Sequence, residues 1–282
     1  MGGNGGPVIP KLCNVISREL DIVSGVRLVL HYSRACWLGL FVGLMAPRLI
    51  AAATHPAALA TKTFQEARTL HKKLPKDAQA AWQFARAAFD LAAFATNSTQ
   101  RAEIAEEGIA ACRGLLARDP NSAPGHYYLG MDLAQLAQTR GIGALKIVTE
   151  MEREFSAARE LDPGFDFAGP DRNLGLLYRD APSLISIGDR SRAKKHLERA
   201  VELAPDYPEN RLNLLESLLK WSDRNGVKRE MKALEEAWPR NRAAFAGDNW
   251  SSTWVDWESR RQKIRKRIQE PAKEIESPAH KD

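Results

Sequence analysis

Apolar positions along this chain recur at helical spacing rather than in alternation. Between Asp171 and Pro239, the residues Leu174, Gly175 and Tyr178 are followed by Ala193, Leu197, Ala200 and Pro205, and Pro239 stands 34 residues after Pro205. Upstream, Leu129, Gly130 and Leu133 are followed by Phe155, Ala158 and Pro163, and Pro120 follows Leu115 and Leu116. Steps of three and four within each group put these side chains on one helix face. The recurring Pro ends every second helix, because it has no amide hydrogen to donate and its ring clashes with the preceding turn. The pattern predicts pairs of short antiparallel helices from Asp77 to Asn241. Gly and Ala stand where two helices approach closely, and Leu, Phe and Tyr fill the gap between them. In the first pair Trp82 and Phe89 are the large residues and Asn97-Ser98-Thr99 divides the helices; the fourth pair, Pro208 to Asn241, carries Leu214, Leu215, Leu218, Met231 and Leu234. Alternating runs of Val, Ile, Thr and Tyr are missing, so an all-α fold is expected.

The residue types and most of the spacings resemble the tetratricopeptide repeat, a unit of two helices, A and B, of which several stack to bury a continuous core. That resemblance implies a helical-repeat solenoid of about four helix pairs, and a protein that binds rather than catalyses. The flanks predict caps. A helix over Thr61 to Leu74 carries Phe64, Ala67 and Leu70, and Trp250, Trp254, Trp257, Ile264 and Ile268 recur at helical spacing after Pro239. A terminal repeat otherwise exposes its apolar face, which such helices cover. Arg260, Arg261, Lys263, Arg265, Lys266 and Arg267 then read as a solvated face, with a membrane-surface helix as the sharper alternative.

Helix A of each repeat lines the concave wall of such a solenoid. The register puts Tyr127, Tyr128, Met131 and Gln135 there from the second repeat, Arg172, Asn173, Leu176 and Arg179 from the third, and Asn213, Glu216 and Lys220 from the fourth. Aromatic and Met side chains flanked by Arg and Asn suit an extended peptide or an amphipathic acid, the guanidinium groups offering a bidentate partner for carboxylate. The second and third repeats also carry nine and six extra residues between their helices. Ile142, Leu145, Leu184, Ile185 and Ile187 lie in these insertions and are too apolar for free loops; they are expected to pack on their own repeats, with an oligomer or partner edge as the alternative.

Charge changes the picture little. The chain has 282 residues, 41 basic and 35 acidic, a formal net charge of +6. Residues 1–53 hold five basic and two acidic side chains, and the stretch Glu258 to Lys273 holds seven against two. The repeat body is close to neutral, which speaks against a phosphate-contacting groove and so against a nucleic-acid partner. The first residues contain Ala35 to Ala46, an uncharged apolar run preceded by Arg27 and Arg34 and followed by Pro47, Arg48 and Ala51-Ala52-Ala53. That layout predicts a secretory signal cut after Ala53 or Ala60 and a periplasmic location; an uncleaved anchor is the competing reading, although the run is short of the roughly 20 apolar residues a spanning helix needs. The expected division is a leader over 1–53, an N-terminal cap and linker over 54–76, repeats over 77–241, a Trp-rich basic cap over 242–270 and a polar tail over 271–282.

Candidate chemistry is sparse. Cys13 and Cys36 lie in the leader, and Cys112 reads as a buried core thiol. Six scattered histidines lack metal-ligand spacing, with His196 a surface or satisfied structural residue, and Gly141-Ile142-Gly143 lacks the strand and Lys-Ser or Lys-Thr of a phosphate loop. No catalytic residue, metal or cofactor is expected.

The combination of Tyr127-Tyr128-Leu129-Gly130, Gly141-Ile142-Gly143-Ala144-Leu145-Lys146, Asp162-Pro163, Gly169-Pro170, Leu174-Gly175-Leu176-Leu177-Tyr178 and His196-Leu197-Glu198-Arg199-Ala200 resembles the T-component family of TRAP transporters, over about Trp82 to Pro239. The resemblance implies a periplasmic repeat protein that associates with the solute-binding component of a transporter. The expected function is thus a non-enzymatic scaffold for a partner protein; a carrier enclosing a small apolar or amphipathic ligand is the alternative.

Overall fold

The computed structural model describes residues 46–269, and these form ten α-helices and no strand. They are α1 (Ala46–Lys73), α2 (Ala78–Ala92), α3 (Ser98–Leu116), α4 (Ala123–Ala137), α5 (Ala144–Leu161), α6 (Phe165–Asp180), α7 (Arg190–Leu203), α8 (Pro208–Lys220), α9 (Arg224–Ala244) and α10 (Ser251–Gln269). The signal-like run before Ala46 lies outside the described residues, as does the tail after Gln269. Among the described residues no helix is long and apolar enough to cross a membrane. The chain divides into two compact units, with the boundary between Ala204 and Pro205.

Local sequence sets the helix starts. Asp77, Asn97, Ser122, Asp189 and Asp223 each cap a helix by accepting a hydrogen bond from the backbone N–H three residues on, which stabilises a helix by about 1 kcal/mol. The stops follow Pro120, Pro163 and Pro205, each lying just beyond the end of α3, α5 and α7.

In the first unit α2 pairs with α3, α4 with α5 and α6 with α7, while α2 packs on α4 and α4 touches α6. These are the A and B helices of three repeats. Their separation is set by glycine. A Cβ on Gly130 would lie 2.6 Å from the Phe155 ring, and one on Gly175 would lie 2.6 Å from Leu197 Cγ. Both large partners are fully buried, as are Ala158, Ala193 and Ala200. The N-terminal cap starts earlier than expected, at Ala46, and runs through Pro56. It seats Phe64 against Phe84 at 5.3 Å between ring centres, closing a core of Phe64, Phe84, Ala87, Ala88, Ala92, Ile104 and Ala111.

In the second unit α8 pairs with α9, and α10 lies on α8. Here one stop signal fails: Pro239 lies inside α9, which continues to Ala244. The turn around and beyond Pro239 brings Trp238 to 5.3 Å from Trp254 and Phe245 to 4.9 Å from Trp250. Burying two such side chains stabilises by about 1.5–3 kcal/mol each, enough to offset the roughly 3 kcal/mol of an internal proline. The basic face of α10 also departs from expectation. Arg260 is 3% exposed, on the same face as Trp254, Trp257 and Ile264. Its guanidinium donates to Glu209 and Glu216 at 2.6 Å each and also to Asn213. Arg261 and Arg265 both hold Glu235, although Arg265 stays exposed together with Lys263, Lys266 and Arg267. Of the expected apolar stripe, Ile268 is exposed and Trp250 half-buried.

Gly130→Ala and Gly175→Ala are each expected to destabilise the chain by about 1–3 kcal/mol through overpacking, measured by urea unfolding. Gly114→Ala, where a Cβ would meet nothing closer than 3.8 Å, is expected to stabilise by about 0.5–1 kcal/mol, since Ala is the better helix former.

Candidate functional site

The A-helix face of the first unit carries its richest chemistry. Tyr127 and Tyr128 from α4 meet edge to face at 5.1 Å, and Trp82 from α2 stacks on Tyr128 at 5.7 Å with the rings 6° from parallel. Phe165, the first residue of α6, completes the group, edge-on to Tyr127 at 5.1 Å, Tyr128 at 6.1 Å and Trp82 at 6.5 Å. Trp82 and Phe165 are half-buried, whereas Tyr127 and Tyr128 are buried.

Phe165 reaches this position because α6 does not begin as a regular helix. Asp166, Phe167 and Ala168 have φ of 49°, 55° and 61°, three consecutive non-glycine residues in the left-handed region. That conformation costs roughly 1–2 kcal/mol per residue and persists only where surroundings over-determine it. The surroundings here are specific. The Asp166 carboxylate accepts from Tyr127 Oη at 2.6 Å and from Arg172 Nη2 at 2.7 Å. Arg172 also donates to the backbone carbonyls of Asp166 and Phe167, and Asn173 Nδ2 donates to Tyr127 Oη at 3.2 Å. Burial, with the Asp166 charge next in size, pushes the Tyr127 hydroxyl well above its ordinary range, so it acts as a donor throughout the physiological range.

The eleven residues expected on an open wall are therefore distributed differently. Tyr127, Tyr128, Met131 and Gln135 are buried, as are Arg172, Asn173 and Leu176; Met131 sulfur receives Asn173, and Gln135 donates to the Phe89 carbonyl. The Arg179 side chain is 4% exposed and paired with Asp180. In the second unit Asn213 and Glu216 are taken by Arg260, and Lys220 is exposed. The chain's own segments cover part of this face in each unit: the first turn of α6 lies on Tyr127 and Tyr128, and α10 on Asn213 and Glu216. The insertions divide as well. Leu184 and Ile185 are 97% and 56% exposed, contrary to the expected packing on their own repeat, while Leu145 and Ile187 are half-buried. Nothing is described of the Ile142 side chain.

Sequence reasoning missed Asp166 and two further acids. Asp132 is fully buried on α4, and neither carboxyl oxygen has a hydrogen-bond partner among the described residues. It faces Gly108, where a Cβ would lie 2.2 Å from its Oδ2. Burial, reinforced by Asp90, raises its pKa well above the ordinary carboxylate value. Asp90 on α2 is pushed up to about 7 by burial, which the nearby Arg86 opposes and Asp166 assists. Cys112 is buried, as its apolar register position implied, and burial raises its thiol pKa too. His196 Nδ1 donates to the Asp171 carboxylate at 2.7 Å. It borders a depression of about 510 Å³ on α7, whose charges are largely paired, Lys194 with Glu198 and Arg199 with Glu202. Among the described residues no group of three or more His, Cys, Asp or Glu could hold a metal ion.

This fold defines a tetratricopeptide-like helical-repeat protein. It is similar to the solved structure of TTC0263, a thermophilic TPR protein in Thermus thermophilus, with a TM-score of 0.54 and 18% identity over 77% of this chain and 96% of that one. Residues 51–167, α1 through the first turn of α6, match the family model of regulator of microtubule dynamics protein 1-3. That family differs from the transporter family the sequence motifs resemble. A search of curated proteins finds no match.

A carboxyl whose folded pKa lies above its unfolded value contributes full stability only while protonated, and stability falls as pH rises toward the folded value. Asp132→Asn is therefore expected to match wild type near about pH 4 and exceed it by about 1–3 kcal/mol near about pH 8, a Tm gain of roughly 2–4 °C per kcal/mol. Thermal melts at both pH values test this; an equal gap at both would reject it.

Proposed function

We propose that this chain is a non-enzymatic scaffold that binds a partner protein through its repeats. The observation that carries this reading is the cluster of Trp82, Tyr127, Tyr128 and Phe165 on the A helices of a tetratricopeptide-like fold. Folds of this class generally mediate protein–protein interaction, and half-buried aromatic side chains are favoured at such contacts. The motifs quoted above imply the solute-binding component of a transporter as the partner and an exported location. The match over residues 51–167 favours a second reading, in which the partner belongs to the microtubule system named by that family.

Affinity purification of the full chain from its native cell, after mild crosslinking, tests these readings. A stoichiometric protein is the expected result: a solute-binding protein supports the first identity, and co-sedimentation with polymerised tubulin supports the second. Recovery of an extractable lipid or organic acid with no protein would replace the scaffold with a ligand carrier.

Leu184 and Ile185 protrude from a connection whose base is fixed by the Asp189 N–H donating to the Tyr178 carbonyl at 2.9 Å. Exposure of two such side chains side by side supports a contact with a second copy. Leu184→Asp combined with Ile185→Asp is expected to reduce the mass seen by static light scattering without changing the circular dichroism spectrum. An unchanged mass with retained helicity removes the oligomer reading.

A further inference from the structure

The geometry points to Phe165-Asp166 as a built-in occupant of a peptide site formed by α2, α4 and Arg172 of α6, displaced by a partner segment carrying an aromatic ring followed by a carboxylate. This rests on the scaffold reading above and names the partner's chemistry.

Three observations converge on it. The Phe165 ring is held on its inner side by Tyr127, Tyr128 and Trp82 at 5.1, 6.1 and 6.5 Å, yet remains half-buried, so it is a lid on the aromatic group rather than part of the core beneath. The carboxylate beside it is read by two converging donors, Tyr127 Oη and Arg172 Nη2, at 2.6 and 2.7 Å. The segment that delivers both groups does so with Asp166, Phe167 and Ala168 all at positive φ, a conformation that an unconstrained segment with L side chains avoids. An external peptide can present the same ring and carboxylate from an extended backbone without that strain. The buried Arg172 guanidinium would lose its Asp166 carboxylate partner if Asp166 left alone, so an incoming segment that brings its own carboxylate restores the ion pair.

The probe is a fluorescein-labelled hexapeptide with the chain's own sequence from Pro163 to Ala168, titrated by fluorescence anisotropy against the full chain. The double variant Phe165→Ala with Asp166→Ala, confirmed as helical by circular dichroism, is expected to bind it at least tenfold more tightly than wild type. Replacing the peptide's first Phe, the one before its Asp, by Ala, or its Asp by Asn, is expected to remove that gain. A folded double variant that binds no more tightly than wild type overturns the proposal. If the double variant fails to fold, hydrogen exchange on the wild type decides. Excess peptide should deprotect the amides of 165–168, whereas unchanged protection overturns the proposal. A failure here, alongside a partner recovered by affinity purification, refutes this site and leaves the scaffold reading standing.

Discussion

Two helices of a repeat can share a core this thin only if one of them offers no side chain where their backbones come closest. Gly130 and Gly175 meet that requirement in the second and third repeats, each accommodating a large residue of the facing helix, Phe155 or Leu197, in the space a Cβ would fill. The small residues Ala158, Ala193 and Ala200 extend the contact along the pair. Once the pairs are drawn together, the A helices of the first unit are brought against one another, and the aromatic group of Trp82, Tyr127 and Tyr128 follows from their register.

Close packing also explains why buried polar groups here are so consequential. In a dry interior a charge must be paired or neutralised. Arg172 and Arg260 follow the first course, each surrounded by acceptors. Asp132 follows the second: it has no hydrogen-bond partner among the described residues, and its burial favours the neutral acid by raising the pKa. The two arginines act as clasps that fix a covering segment, the first turn of α6 in one unit and α10 in the other, onto helices whose faces would otherwise meet solvent.

Much of the fold was legible in the sequence. Helix pairing, the proline stops after α3, α5 and α7, and the glycine contacts all follow from spacing, because each depends on residues within one repeat. Pro239 misled, since its effect was outweighed by the burial of Trp238 and Phe245 against α10, contacts that no local signal reveals. The basic run of α10 hid Arg260, although its spacing from Trp254, Trp257 and Ile264 places it on their face. The open wall was the largest misreading. Register identifies which residues line helix A, but whether that face is exposed depends on the neighbouring segment. The Phe165-Asp166-Phe167-Ala168 stretch, bounded by Gly164 and Gly169-Pro170, was too apolar for a free loop and was the available clue.

The paired-helix account is tested most directly by a nuclear Overhauser spectrum of protein labelled at Gly, Leu and Phe. Cross-peaks from the Gly130 α-protons to the Phe155 ring, and from the Gly175 α-protons to the Leu197 methyl groups, are the predicted result, since each glycine lies so close to its partner that a Cβ would have no room. Spectra in which either glycine shows only contacts within its own helix would contradict it.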